Sequence, residues 1–342
     1  MKSFLLGGLT PREFLRRHWQ KRPLFVRGAL AEFRGVIGER ELRALAARDD
    51  VESRVIERRG RRYRTVHGPF ARLRAKRRDW TLLVSGVNLY HAGAEALLRR
   101  FSFVPQARLD DVMVSYAMPG GGVGPHVDSY DVFLLQASGR RRWRIAGERA
   151  WVASAGDLVY LPPGMRHDGV ALEPCFTYSI GFRAPSGGEL AAAFLDWLHE
   201  RGLPEARYRD PRLAPAAAPA RIPREMAAFA ERVLARIRWT RAEVERFLGE
   251  YLTMPKAQVV YQPRAARPLA GRVVLDSKTQ LLYSGRQFFI NGDSLRASTR
   301  QVAALRRLAD ERGAAANALA AARLGGLISE WQRRGYVRVE HG

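Results

Sequence analysis

The chain has 342 residues and a formal net charge of +24, with 58 lysine and arginine residues against 34 aspartate and glutamate residues. Hydrophobic residues make up 46% of it, enough for a buried core and, at this length, for two or three domains. The single cysteine, Cys175, excludes an intrachain disulfide and a zinc site built from cysteines. The apolar run Leu5–Leu9 is too short for the core of a signal peptide and no run reaches membrane-spanning length, so we expect a cytoplasmic protein without membrane contact.

The charge is distributed unequally along the chain. Residues 51–100 hold thirteen basic and four acidic residues, whereas residues 101–200 hold eight basic and eleven acidic residues. An acidic segment inside a basic protein favours a cationic substrate, and the basic flanks are suited to non-specific contact with RNA, with a solvated surface as the alternative. The basic flank comprises Arg58, Arg59, Arg61, Arg62, Arg74, Lys76, Arg77 and Arg78.

The amino-terminal part of the sequence predicts a helix, and a strand is predicted further along the chain, before the glycine-rich loop. The capping box at Thr10–Glu13, with proline at the first helical position, predicts a helix that ends near Trp19. Residues 112–118 read as a strand because β-branched and aromatic residues alternate there. The glycine-rich loop 119–124 then brings the backbone tightly to the segment that follows.

That following segment contains a candidate metal site. His126 and Asp128 share a face if the segment is extended, and Val127 is then predicted to point into packing. His167 follows the Pro-Pro-Gly turn far enough downstream for several strands to intervene, which is typical of a barrel. Two histidines and one carboxylate, with the remaining positions open, form the ligand set of non-heme Fe(II) oxygenases.

A strand at 140–145 carries an arginine that is predicted to point inward. Strand alternation places Arg141 on the same face as Trp143 and Ile145. A buried guanidinium needs an anionic partner, and its planar fork suits the distal carboxylate of a dicarboxylic cosubstrate. A solvated basic strand is the alternative for Arg141 and the expectation for the other three arginines of the run.

The remainder of the chain changes character after residue 185. A helix is predicted at 189–201, and a proline- and alanine-rich linker follows at 213–223. Apolar residues at helical spacing over 226–237 and 244–252 predict helices packed on helices, and this spacing does not distinguish packing within one chain from a dimer interface. Short strands then alternate with helices: strands at 271–275, 281–283, 287–290 and 336–339, and helices near 299–309 and 325–334.

Three long motifs closely resemble the bacterial Jumonji-C (JmjC) ribosomal oxygenases, the 2-oxoglutarate-dependent ribosomal protein arginine 3-hydroxylases. The motifs span 120–145, 156–169 and 178–185, and the resemblance extends over nearly the whole chain. It implies Fe(II), 2-oxoglutarate as cosubstrate and O2. By position it implies that the iron ligands are His126, Asp128 and His167, that Arg141 binds the distal carboxylate of 2-oxoglutarate, and that Ser115 and Ser179 contact the same cosubstrate. Hydroxyls bonded to strand backbone remain the alternative for the two serines.

The same resemblance implies an α+β fold in three parts. These are a double-stranded β-helix (jelly-roll, cupin-like JmjC) oxygenase domain at 1–187, a helical linker and dimerisation region at 188–258, and a winged-helix-like domain at 259–342. A homodimer is therefore expected. The segment 145–155, which connects the arginine-bearing strand to the motif at 156–169, is shorter than in most members of the family. This shortening is expected to affect how a substrate fits.

The implied activity is hydroxylation of an arginine side chain, at its β-carbon, in a large-subunit ribosomal protein. Within the same metal chemistry, a JmjC-type protein demethylase or a hydroxylase of another residue is the alternative. A cupin-plus-winged-helix regulator that senses a ligand and binds DNA is an alternative of another class. Zinc occupancy with isomerase chemistry is a further one.

Overall fold

The computed structural model describes residues 4–73 and 76–340. Within those ranges, none of the helices combines the length and the apolar character that a bilayer crossing requires. Contacts divide the chain into two units, residues 1–184, 255–279 and 303–342 in the first and 185–254 and 280–302 in the second. The three-part division predicted from the sequence follows other boundaries and stays a prediction.

Helix α1, Pro11–Arg17, begins at the predicted capping box. The Thr10 side chain accepts from the Glu13 amide, and the Glu13 carboxylate accepts from the Thr10 amide. Two further helices of the first unit are α2, Glu39–Ala46, and α3, Ala92–Arg99. All three are short, and each buries one apolar side of its surface, as amphipathic helices on a core do.

Among the described residues, eleven strands form two sheets of the first unit. They range from three residues (β1 and β8) to nine residues (β5). Their bounds are β1 Leu24–Val26, β2 Ser53–Arg59, β3 Arg62–His67, β4 Trp80–Val84, β5 Leu109–Ala117, β6 Val132–Ser138, β7 Arg141–Ile145, β8 Trp151–Ala153, β9 Leu158–Leu161, β10 His167–Ala171 and β11 Cys175–Phe182.

The larger sheet has eight strands in the order β1-β9-β6-β11-β5-β4-β2-β3, and the smaller has the order β10-β7-β8. Side chains of strand β6 pack against other residues on both faces of the larger sheet. Phe133 and Leu135 join the core that includes Phe14 of α1 and Leu42 of α2, whereas Val132 and its neighbours on that face pack with β7 and β8 residues. The two sheets therefore enclose a second core, which is the predicted double-stranded β-helix arrangement.

The second unit contains three helices and a three-stranded meander. Its elements are α4 Gly187–Glu200, α5 Arg224–Leu234, α6 Arg241–Thr253, β13 Leu281–Ser284, β14 Gln287–Ile290 and β15 Asp293–Arg296. Rings of Phe194, Trp197 and Phe247 pack α4 against α6. No residue of helix α5 is fully buried, and Leu234 is 64% exposed, so the apolar stripe of α5 is only partly covered within this chain.

The remaining elements belong to the winged-helix-like region. They are β12 Arg272–Leu275, α7 Thr299–Asp310, β16 Gly313–Ala315, α8 Ala316–Ala321, α9 Gly325–Arg333 and β17 Val337–Glu340. Strand β12 pairs with both β16 and β17. Strands β15 and β16 and helix α8 were not predicted, because β15 is largely polar and β16 and α8 are nearly all alanine and carry no apolar period.

Candidate active site

His126 and His167 lie side by side because their backbones pair. The amide of each donates to the carbonyl of the other at 3.0 Å, as an isolated bridge outside the strand ladders. His167 begins β10, whereas His126 and Asp128 lie in the loop between β5 and β6. The predicted extension is limited to this bridge, and Val127, predicted to pack, is instead 54% exposed.

Asp128 completes a three-residue cluster. Its carboxylate oxygens lie 3.8 Å from His126 Nε2 and 3.7 Å from His167 Nε2. One ligand atom from each residue lies within 4.8 Å of the others. The Gly164 amide donates to the Asp128 carbonyl at 2.8 Å, so the Pro-Pro-Gly turn positions this ligand as well as leading into β10.

Hydrogen bonds select the histidine tautomers that a metal requires. Nδ1 of His126 lies 2.9 Å from the Gly124 carbonyl, and Nδ1 of His167 lies 2.9 Å from the Met165 carbonyl. A carbonyl only accepts, so each Nδ1 carries the proton and each Nε2 keeps its lone pair. Burial, with the adjacent His126, lowers the pKa of His167, which favours the neutral ring that ligates metals.

Arg141 provides a second test of the expected ligands. Its side chain is buried on the predicted face with Trp143, and the guanidinium carbon lies 5.7 Å from that ring's centroid. Within the described part of the chain, Nε and one terminal nitrogen of Arg141 are buried and have no hydrogen-bond partner. Because an unpartnered buried guanidinium is costly, a carboxylate-bearing ligand fits this position.

Ser115 and Ser179 both line the cavity that contains the histidines. They lie on the neighbouring strands β5 and β11. The Ser115 hydroxyl donates to the Thr177 carbonyl at 3.4 Å, which is the strand-bonded alternative considered for it. Contact of either hydroxyl with 2-oxoglutarate remains a prediction.

The cavity has a volume of about 460 Å³ and an acidic side that the sequence motifs did not predict. Glu52, Asp110 and Asp111 line it together with Arg54 and Lys256. Burial raises the pKa of Asp111 to about 6, although its carboxylate accepts from the Gly86 amide at 2.8 Å. The adjacent aspartates on one strand were the available signal, but their placement beside the histidines depends on the pairing of distant strands.

Asp131 lies close to the cluster in sequence but has a structural role. Its side chain is fully buried and accepts hydrogen bonds from the Tyr160 hydroxyl at 2.6 Å and from the side-chain amide of Gln20, Nε2, at 3.0 Å. Arg108 contributes a longer contact at 3.4 Å. These contacts give Asp131 a hydrogen-bonding role in the fold, and the residue is absent from the cavity lining.

Comparison with known proteins identifies two regions. A family model described as a JmjC domain matches residues 96–151 and 147–190, and these two segments meet at the short crossing before β9. A model described as a ROXA-like winged helix matches residues 236–338. The ribosomal protein uL16 3-hydroxylase of Escherichia coli (strain K12) is 37% identical over 275 residues, which cover 73% of each chain.

Solved structures match over almost the full length. The crystal structure of Escherichia coli ribosomal oxygenase YcfD has a TM-score of 0.83 at 33% identity, covering 97% of this chain and 98% of that one. A YcfD structure in complex with cobalt and 2-oxoglutarate has a TM-score of 0.80 at 33% identity, covering 96% and 98%. The JmjC oxygenase fold and the winged-helix-like carboxyl-terminal region expected from the sequence are confirmed.

Proposed function

Because the chain belongs to the JmjC-domain ribosomal oxygenases, we propose that it uses Fe(II), 2-oxoglutarate and O2 to hydroxylate the β-carbon of an arginine in a large-subunit ribosomal protein. One observation carries this proposal: a His-Asp-His cluster and an unpartnered buried arginine line the same cavity. Fe(II) bound there would supply O2 activation coupled to the oxidative decarboxylation of 2-oxoglutarate.

The residues of this chain divide the work between two sides of the cavity. His126, Asp128 and His167 would hold the metal through two Nε2 atoms and a carboxylate, and Arg141 would orient the cosubstrate through its far carboxylate. We propose that Ser115 and Ser179 add hydroxyl contacts to the same ligand. The acidic side of the cavity suits a cationic side chain, in agreement with the charge asymmetry of the sequence.

Turnover on ribosomal proteins tests the proposal. Fe(II) protein is incubated anaerobically with 2-oxoglutarate and recombinant ribosomal proteins, O2 is admitted, and peptides are analysed by mass spectrometry. We expect one oxygen atom on a single arginine of uL16, dependent on 2-oxoglutarate, and no product with His126→Ala. That variant should stay folded because His126 is partly exposed and lies in a loop.

Two experimental outcomes would contradict the proposal. Full activity of His126→Ala would remove the metal assignment. Turnover of methyl-lysine peptides, or of another residue, with every uL16 arginine unmodified would leave the oxygenase chemistry standing and refute the substrate. His67→Ala is the control, since His67 is an exposed histidine outside the cavity lining.

We also propose that the chain forms a homodimer through the helical region of the second unit. Support comes from large apolar side chains that this unit leaves exposed, among them Leu195 at 61%, Ile222 at 73%, Leu234 at 64% and Trp239 at 54%. Contiguous exposed apolar surface is typical of protein interfaces. The three-part division at residues 187/188 and 258/259 is proposed with it, the middle part being the dimerisation region.

RNA is proposed as a further, sequence-independent partner at the β2–β3 hairpin. Strand β3 is the edge of the larger sheet, and Arg61, Arg62 and Arg64 are exposed there. Among the residues that the structure describes, these three arginines form no ion pair, unlike Arg58 with Asp79. Free guanidinium groups in one patch fit phosphates.

Salt-dependent binding measures this contact. Replacing Arg61, Arg62 and Arg64 by serine should weaken single-stranded RNA binding and lower the slope of log affinity against log salt by about two, since each phosphate contact contributes roughly 0.7 to it. The control removes three exposed arginines elsewhere, Arg300, Arg323 and Arg333. Equal losses in both variants would mean that net charge alone attracts RNA.

A cytoplasmic location is proposed because it provides the ribosomal substrate and suits a lone free cysteine.

A further inference from the structure

One residue of the cavity is a lysine that no motif identifies. Lys256 follows α6, and its ammonium lies 3.3 Å from Asp110 Oδ1. Both residues line the same cavity as His126, Asp128 and Arg141. A cation supplied by the chain itself therefore lies on the acidic side of the space in which a substrate would be oxidised.

The charge of Lys256 is retained in this position. Burial lowers the pKa of the ammonium, but attraction by Asp111 and Asp110 outweighs it, so that the pKa ends above the ordinary lysine value. The same attraction opposes the rise in the pKa of Asp111. Lys256 thus acts as a counter-ion to both aspartates in the substrate-free protein.

The contact is suited to exchange. Lys256 is one of only five lysines in the chain, and an ammonium on a flexible stem is held less rigidly than the planar fork of a guanidinium. Its side chain is 40% exposed, so it can move out to water. The Arg183 guanidinium, 3.4 Å from the same Asp110 oxygen, keeps that carboxylate in place when the lysine leaves.

We propose that Lys256 is a displaceable counter-ion, which the cationic side chain of a substrate must replace at Asp110. By this competition Lys256 lowers the affinity of the cavity for cationic side chains relative to neutral ones. This inference rests on the proposed function, because it assumes that a cationic side chain enters the cavity. Neutral side chains do not compete for the carboxylates, so Lys256 affects them little. Removing the ammonium favours cationic ligands.

Binding without turnover tests it. Mn(II)-loaded protein with 2-oxoglutarate, without O2, is titrated with a uL16 arginine peptide and with the same peptide carrying citrulline, the neutral isostere. Lys256→Met should tighten the arginine peptide roughly threefold to fivefold, the upper part of the range for a partly exposed ion pair, and change the citrulline peptide less than twofold. Lys256→Arg, whose planar fork is held more rigidly by a carboxylate, should weaken the arginine peptide and leave the citrulline peptide within twofold of wild type. Lys278→Met, which removes the same charge outside the cavity lining, should change neither.

Small probes separate this inference from the substrate assignment. Methylguanidinium and methylurea are titrated against the same proteins, and the relaxation that Mn(II) induces in their protons reports binding near the metal. We expect methylguanidinium to bind Lys256→Met more tightly than wild type, whichever protein is the substrate. An unchanged ratio of cationic to neutral probe affinity, or weaker binding of the cationic probe to Lys256→Met, would overturn the role of Lys256. Wild type that binds the probes but modifies no ribosomal protein would refute the substrate alone.

Discussion

At the scale of single residues, the polar groups of the site differ in whether the protein itself supplies their hydrogen-bond partners. His126 and His167 use their Nδ1 atoms on backbone carbonyls and so keep Nε2 for a metal. Arg141 is different, because the described residues provide no partner for its Nε. The histidine tautomers are therefore set by the fold, whereas the buried nitrogens of Arg141 are proposed to find their partner in a bound ligand.

Arg141→Ala is predicted to weaken 2-oxoglutarate far more than the metal. The substitution removes the proposed carboxylate clamp but leaves the three ligands intact, and loss of one partner of a buried charge pair costs on the order of 2 to 5 kcal/mol. Titration of anaerobic Fe(II) protein with 2-oxoglutarate measures it. Arg140→Ala is the control, since Arg140 is exposed and paired with Glu173. Equal 2-oxoglutarate affinity in wild type and Arg141→Ala would contradict the role.

At the scale of elements, the pairing of β7 with β10 holds the site together. Gly169 lies opposite Trp143 in this ladder, two residues beyond His167. A side chain at Gly169 would overlap the Trp143 ring, and Trp143 in turn lies beside Arg141 and His167. The glycine is therefore needed for close approach of a ring to a backbone, without a left-handed φ.

Gly169→Ala is predicted to destabilise the fold by about 1–3 kcal/mol, because overpacking moves the Trp143 ring. Urea denaturation measures the free energy of unfolding, and metal affinity should fall with it as the ring disturbs His167. Gly326→Ala in α9 is the control, since nothing lies within 4 Å of its added methyl group. That control should be neutral or slightly stabilising. Unaltered stability of Gly169→Ala would show that the ring accommodates the methyl group.

At the scale of the whole molecule, exposed apolar residues and the charge of +24 act in different ways. Net charge keeps chains apart at long range, whereas apolar burial acts only on contact. Association must therefore use a surface where apolar area outweighs the repulsion. Helix α5, none of whose residues is fully buried within this chain, is proposed to contribute to that surface.

The dimer is predicted to depend on this helical surface. Light scattering should give twice the chain mass of 38.5 kDa for wild type and the single mass for Ile222→Glu/Leu234→Glu, because two buried carboxylates per chain would oppose association. Leu172→Glu, at another exposed leucine, should remain dimeric. A monomeric wild type, or a double variant that stays dimeric, would exclude this interface.

The sequence by itself determined the features that depend on local spacing. Alternation along β7 placed Arg141 with Trp143 inside, and burial follows that alternation. The capping box predicted the start of α1, and the spacing of the histidine motifs identified the three residues that converge. These features could be predicted because period and capping are properties of neighbouring residues.

Only the tertiary structure decided which distant residues meet. Lys256 reaches Asp110 across more than a hundred residues of chain, and no periodicity records that contact. The exposure of Val127 and of α5 was likewise not predicted. The sequence shows that a side chain is apolar, but it does not show whether that side chain packs within this chain, against another chain or against nothing. The physical reason is that strand pairing and chain closure are non-local, so the acidic side of the cavity exists only once β2, β5 and the segment after α6 have come together.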